Sequence, residues 1–164
     1  MPTLRSLVDF FSRERPAWMR SGSALNMPER FNEDSRMISF IAHEHALRGG
    51  QNCVDTDHLL LAFSEDVGIR PIMQSAGVDI DRLRTTILAR QTLDSVSYAR
   101  DGVLPRSSLL HLAWQKAHDS ADEVGSLHIT PAHVLVGTVR ALQETDAVIL
   151  HVLGPSLVLL LPRA

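Results

Sequence analysis

The residues best suited to chemistry in this 164-residue chain are eight histidines and one cysteine. The densest cluster is His43-Glu44-His45. Imidazole and carboxylate make a metal-ligand set, but residues two apart on a helix point to different faces. The run lacks the His-Glu-x-x-His spacing that puts both rings on one face. Cys53 and His58 could form the thiol–imidazole couple of a small hydrolase. A thiolate nucleophile needs an electropositive setting and an oriented base. Asp55 and Asp57 stand close in sequence and would push the thiol pKa up, so Cys53 reads as a small buried apolar residue near a helix start. No serine occupies a Gly-x-Ser-x-Gly elbow, and no Gly-x-x-x-x-Gly-Lys-(Ser/Thr) loop offers a phosphate cradle. Asp79/Asp81 and Asp122/Glu123 read as helix-start and loop charges. The residues therefore assign no catalytic group, no metal and no cofactor, and point to a protein that is not an enzyme.

Composition narrows the classes further. Hydrophobic residues are 45% and charged residues 21%, a globular balance. A net charge of −3 lacks the basic excess with which nucleic-acid binders neutralise phosphates. Residues 130–142 carry Arg140 as their one charged group, too little for a groove-reading helix. The longest apolar run, residues 157–161, is far short of the ~20 residues that cross a bilayer. Asp9 and Arg13 interrupt the leading apolar stretch, so no secretory signal is legible, and one cysteine cannot form an internal disulfide. The expectation is a cytoplasmic protein with no nucleic-acid or membrane partner.

The apolar spacing is helical throughout. Leu4, Leu7, Val8 and Phe11 predict a short amphipathic helix within an extension over residues 1–26, and Trp18 follows among prolines. This stripe and Trp18 are candidate partner contacts that tether the protein to another chain or make a homodimer. Residues 36–47 carry a core-facing stripe and stop at Gly49-Gly50. Asp55-Thr56, Asp79 and Thr130-Pro131 read as helix starts. Residues 92–104 read as a linker, after which helices recur over 107–121, from 130 and from 147. For residues 157–161 two readings stand, a shortened last helix over the core or a sticky end.

Two halves, residues 32–91 and 105–161, repeat one order. Thr56-Asp57-His58-Leu59-Leu60-Leu61-Ala62 aligns with Pro131-Ala132-His133-Val134-Leu135-Val136-Gly137, and Ala76-Gly77 with Leu153-Gly154. Ala42-His43-Glu44-His45-Ala46 aligns with Ala113-Trp114-Gln115-Lys116-Ala117, which requires a longer turn after the first helix of the second half. A repeated helical unit cannot bury its apolar face alone, so the halves pack on each other. The expected fold is all-α: a pseudo-twofold bundle of about eight short helices in two four-helix halves, plus the leading helix. His58 and His133, equivalent in the repeats, are expected to bury part of their rings with a nitrogen satisfied by backbone.

Met27-Pro28-Glu29-Arg30-Phe31-Asn32-Glu33, the helix after it, Asp55 to Ala62 and Gly77-Val78-Asp79 resemble the amino-terminal (Clp repeat) domain of Clp unfoldases, especially the ClpC branch. The resemblance covers residues 27–155, stronger in the first half. It implies a double repeat with a protein-binding role, as a stand-alone copy without ATPase modules and without ATP hydrolysis.

In that family each half is thought to hold phosphorylated arginine, a Glu meeting the guanidinium and a Thr at a helix start meeting the phosphate. The resemblance implies Phe31, Asn32, Glu33 and Asp57 as the peptide- or phosphoarginine-like site of the first half, with Asp57 for the Glu and Asn32 for the Thr. The second half offers Ala132 and either Val103 or Leu104, which leaves no polar group. Asp57 also reads simply as an acid favouring a helix N-terminus. The implied function is an accessory or regulator of Clp-dependent proteolysis that binds substrate proteins, adaptors or components of the unfoldase and protease. The alternative is a helical scaffold in an unrelated regulatory pair.

Overall fold

The computed structural model describes residues 28–91 and 103–160. Leu4, Leu7, Phe11 and Trp18, the leading helix, and most of the linker lie outside the described residues. The chain forms α1 (Glu33–Arg48), α2 (Thr56–Glu65), α3 (Ile69–Ser75) and α4 (Ile80–Arg90), then α5 (Ser108–Glu123), α6 (Pro131–Thr145), α7 (Ala147–Leu153) and α8 (Pro155–Leu160). Among the described residues no strand forms, and the architecture is all-α with four helices in each half.

Most of the helices start where a short polar side chain can accept a free amide. Asn32 accepts from the Ser35 N–H, Asp79 from Arg82, Ser107 from Leu110 and Asp146 from Ile149. The second helix of each half uses histidine as the reciprocal partner. The Asp55 N–H donates to His58 Nδ1 at 2.9 Å and the Thr130 N–H to His133 Nδ1 at 3.0 Å. Gly77 and Gly154 end equivalent helices at φ 84° and 81°, a left-handed conformation that a side chain would strain.

The caps correct the sequence alignment of the first helices. α1 and α5 are 16 residues each, and the loops 49–55 and 124–130 that follow them are equally long. Ser107, rather than Val103 or Leu104, is therefore the counterpart of Asn32. Ala42 is the counterpart of Ala117, and Ser39 of Trp114. Pairing Ala42 with Ala113 puts the helices one turn out of register, because alanines recur every fourth residue at 42, 46, 113, 117 and 121.

Two isolated parallel bridges join the halves, Phe31 to Ile129 and Val54 to Arg106. Each pairs the residue before one half's first helix cap with the residue before the other half's second helix cap. The pseudo-twofold exchanges one bridge for the other. A single buried cluster runs from Phe31 through Leu157, so the two halves share one continuous core. Leu157 is 1% exposed, which places the start of the last helix over the core. α6 approaches α5 closely at Gly137, where an added Cβ would lie 2.3 Å from the Ala113 carbonyl oxygen of α5.

Candidate functional site

The bridge between Val54 and Arg106 sets the edge of a cavity of about 420 Å³ where the two halves meet. α1 contributes Ser39, Ala42 and His43, and α5 contributes Leu110, His111 and Trp114. Val54 and Leu59 close it from the start of α2, and residues 103–106 form its rim. The volume lies within the ~300–1,000 Å³ typical of small-ligand pockets. Its walls are mostly apolar, and no Asp or Glu is among the described residues that line it.

The polar groups in these walls are placed by specific contacts. The Leu104 N–H donates to His43 Nε2 at 3.0 Å, which fixes the rim to α1. Burial holds His43 below its ordinary pKa, so the ring stays neutral and its Nε2 remains an acceptor. Ser39 Oγ donates back to the Ser35 carbonyl at 3.0 Å. Trp114, 7% exposed, takes the Phe31 ring edge-on at a centroid distance of 5.2 Å. The Arg106 guanidinium lies 4.6 Å over the indole, within cation–π range. Burial also pulls the Arg106 pKa below its ordinary value. The Trp114 Nε1–H is buried with no acceptor among the described residues, at a typical cost of about 1–3 kcal/mol.

A second polar assembly joins the halves elsewhere. Arg90, ending α4, forks onto both Asp57 oxygens at 2.8 and 3.0 Å and reaches Asp146 at 2.6 Å. Burial pushes the Asp57 carboxyl above its ordinary value although Arg90 pulls the other way. For Asp146, burial pushes up, but the Arg90 contact and the backbone amides it caps outweigh it and leave the pKa lowered. Arg90 is itself held above its ordinary value, its two carboxylate contacts outweighing burial.

The histidine and cysteine candidates do not converge. His43 faces the cavity rim, whereas His45 Nε2 lies 3.2 Å from Glu65. His58 spends Nδ1 on its helix cap, and its Nε2 is buried with no partner among the described residues, so it does not engage Cys53. No group of three metal-ligating side chains occurs among the described residues, and no helix there is long and apolar enough to cross a membrane.

The model of the Clp repeat (R) N-terminal domain matches residues 30–153. The chain belongs to this family. It is 27% identical over 135 residues to the chaperone protein ClpB of Oceanobacillus iheyensis, covering 78% of this chain and 16% of that one. It is 26% identical, over the same shares, to the negative regulator of genetic competence ClpC/MecB of Bacillus subtilis. The chain thus spans about one sixth of the length of these relatives. The fold is that of the ClpD N-terminal domain from Arabidopsis thaliana, with TM-score 0.56 and 24% identity over 80% of this chain and 95% of that one. A chain from a malarial protein secretion system superposes with TM-score 0.59 at 14% identity, over 76% and 92%.

Within this Clp N-domain the residues implied by the family resemblance separate into two groups. Asn32 and Glu33 open α1 beside the second half, since the Asn32 N–H donates to the Ile129 carbonyl at 3.1 Å. Asp57 sits in the first turn of α2, whose cap, Asp55, accepts from the Ser107 hydroxyl at 2.7 Å. The starts of α1 and α2 therefore adjoin the starts of α6 and α5 in the other half. Phe31 is 3% exposed and shapes the cavity through Trp114, while Glu33 is exposed. Sequence reasoning missed Arg90 and Arg106, because each finds its partner across the fold rather than along a helix.

Proposed function

We propose that this Clp N-domain is a polypeptide-binding module that uses the cavity between its halves to hold apolar segments of substrate or adaptor proteins for Clp-dependent proteolysis. The observation that carries this reading is the apolar cavity between α1 and α5, walled by Trp114 and rimmed by residues 103–106. An apolar pocket with few polar groups is the usual form of a binding site. In this reading Phe31 acts by supporting Trp114, Asn32 and Glu33 add contacts around the helix starts, and Asp57 acts through the Arg90 it holds. The extension, through Leu4, Leu7, Phe11 and Trp18, adds a second contact to a Clp unfoldase or its adaptor.

The test is fluorescence anisotropy with a labelled, permanently unfolded chain such as reduced and carboxymethylated α-lactalbumin. Wild type binds it, and Val103→Trp, which fills the cavity from its rim, weakens binding at least about tenfold. Equal binding by both proteins would remove the cavity from the function. Co-precipitation with the cognate unfoldase, with and without residues 1–26, tests the accessory role. Its absence from both would count against a place in proteolysis.

A further inference from the structure

The cavity has an electrostatic sense that a plain apolar groove lacks. Among the described residues its lining contains a guanidinium and no carboxylate. Arg106 stands in one wall over the indole face of Trp114, whose Nε1–H is buried with no acceptor among the described residues. Two other polar atoms of the lining are already used. His43 Nε2 accepts the Leu104 amide and Ser39 Oγ donates to Ser35. Arg106 makes further interactions of its own, and the five donors of a guanidinium serve more than one acceptor. The cavity therefore offers apolar surface and hydrogen-bond donors side by side. A ligand matching both carries an apolar group next to an anion. In a polypeptide, an apolar side chain and a full carboxylate share one carbon at the last residue.

We propose that the cavity captures the carboxyl terminus of a polypeptide ending in an apolar residue, with that side chain against Leu104 and Leu110 and the α-carboxylate at Arg106. This rests on the polypeptide-binding reading above and adds the class of polypeptide it selects. An Arg–carboxylate contact is charge-assisted and directional, and is stronger in a half-buried setting than in open water.

The test uses anisotropy with an amino-terminally labelled octapeptide ending in Leu-Phe with a free carboxylate. Three comparison peptides are its carboxamide twin, the free acid ending in Ser-Ser, and a carboxamide with Glu placed before Leu-Phe. The free acid binds at least about tenfold tighter than its carboxamide, as loss of a charge-assisted hydrogen bond implies. The Ser-Ser acid is similarly weak. Arg106→Gln brings the free acid down to the level of the carboxamide, with folding checked by circular dichroism. The wild-type peptide comparison stands even if this variant misfolds. Equal affinity for acid and carboxamide overturns the proposal but spares polypeptide binding, provided both compete with unfolded α-lactalbumin. A Glu-containing carboxamide as tight as the free acid overturns it in favour of internal acidic residues. If no peptide binds while α-lactalbumin does, chain-end capture is wrong, and if α-lactalbumin fails too, both readings fall.

Discussion

Replacing Gly137 by alanine tests the packing on which the cavity's α5 wall depends. Alanine normally stabilises a helix interior over glycine by about 1 kcal/mol. Here the new Cβ would stand 2.3 Å from the Ala113 carbonyl oxygen, 2.5 Å from the Ala117 nitrogen and 2.9 Å from the Ala117 Cα. All three are backbone atoms, so no rotamer change relieves the contact and α5 must move away from α6. Overpacking of this kind costs typically about 1–3 kcal/mol, occasionally more. Three close backbone contacts put Gly137→Ala at the upper end, where the clash exceeds the propensity gain. The net expectation is a loss of about 1–3 kcal/mol. At this chain length that lowers Tm by about 3–10 °C, read by scanning calorimetry. The position aligned with Gly137 in the first half is Ala62, fully buried without such a clash, so the requirement is local to the second half. A Tm unchanged or raised by Gly137→Ala would refute the close approach.

Arg90→Ala leaves Asp57 buried without its guanidinium. Removing one partner of a buried pair costs about 3–5 kcal/mol, and the partial exposure of Arg90 reduces this to about 1–3 kcal/mol. Because protonation discharges Asp57, the variant's deficit in urea unfolding shrinks as pH falls through the carboxylate range; a constant deficit would count against the pair. His58 is pushed down to about 4, chiefly by burial, so the unfolded chain binds a proton that the folded chain refuses. Stability then rises with pH between about 4 and 6.5, by on the order of 3 kcal/mol, and His58→Gln flattens that rise. A slope unchanged in the variant would assign it to other groups. Phosphoarginine gives no saturable heat in calorimetry, since both Asp57 oxygens hold Arg90 and the second half has Ala132 there. Saturable binding lost in Asp57→Ala would contradict this.

Much of the fold is written in local signals. Asp55, Asp79, Ser107 and Thr130 mark helix starts because each cap is satisfied within three residues. The histidine caps were legible for the same reason, as repeats at positions 58 and 133. The alignment of α1 with α5 slipped because a four-residue shift keeps alanine over alanine on the same face. Only the caps at Asn32 and Ser107 fix the register. The cavity was not legible. Its rim at residues 103–106 looks like the end of a linker until His43 receives the Leu104 amide 61 residues away. Likewise Asp57 reads as a helix-start acid until the fold delivers Arg90, 33 residues on.

Polypeptide is expected to enter between α1 and α5. Amide and indole NMR of the isotopically labelled protein, titrated with unfolded α-lactalbumin, tests it most directly. Shifts should concentrate at Ser39, Leu104, Arg106 and the Trp114 indole, and vanish in Val103→Trp. Shifts confined to α3, α4 and α7, or the same pattern in the filled variant, would contradict it.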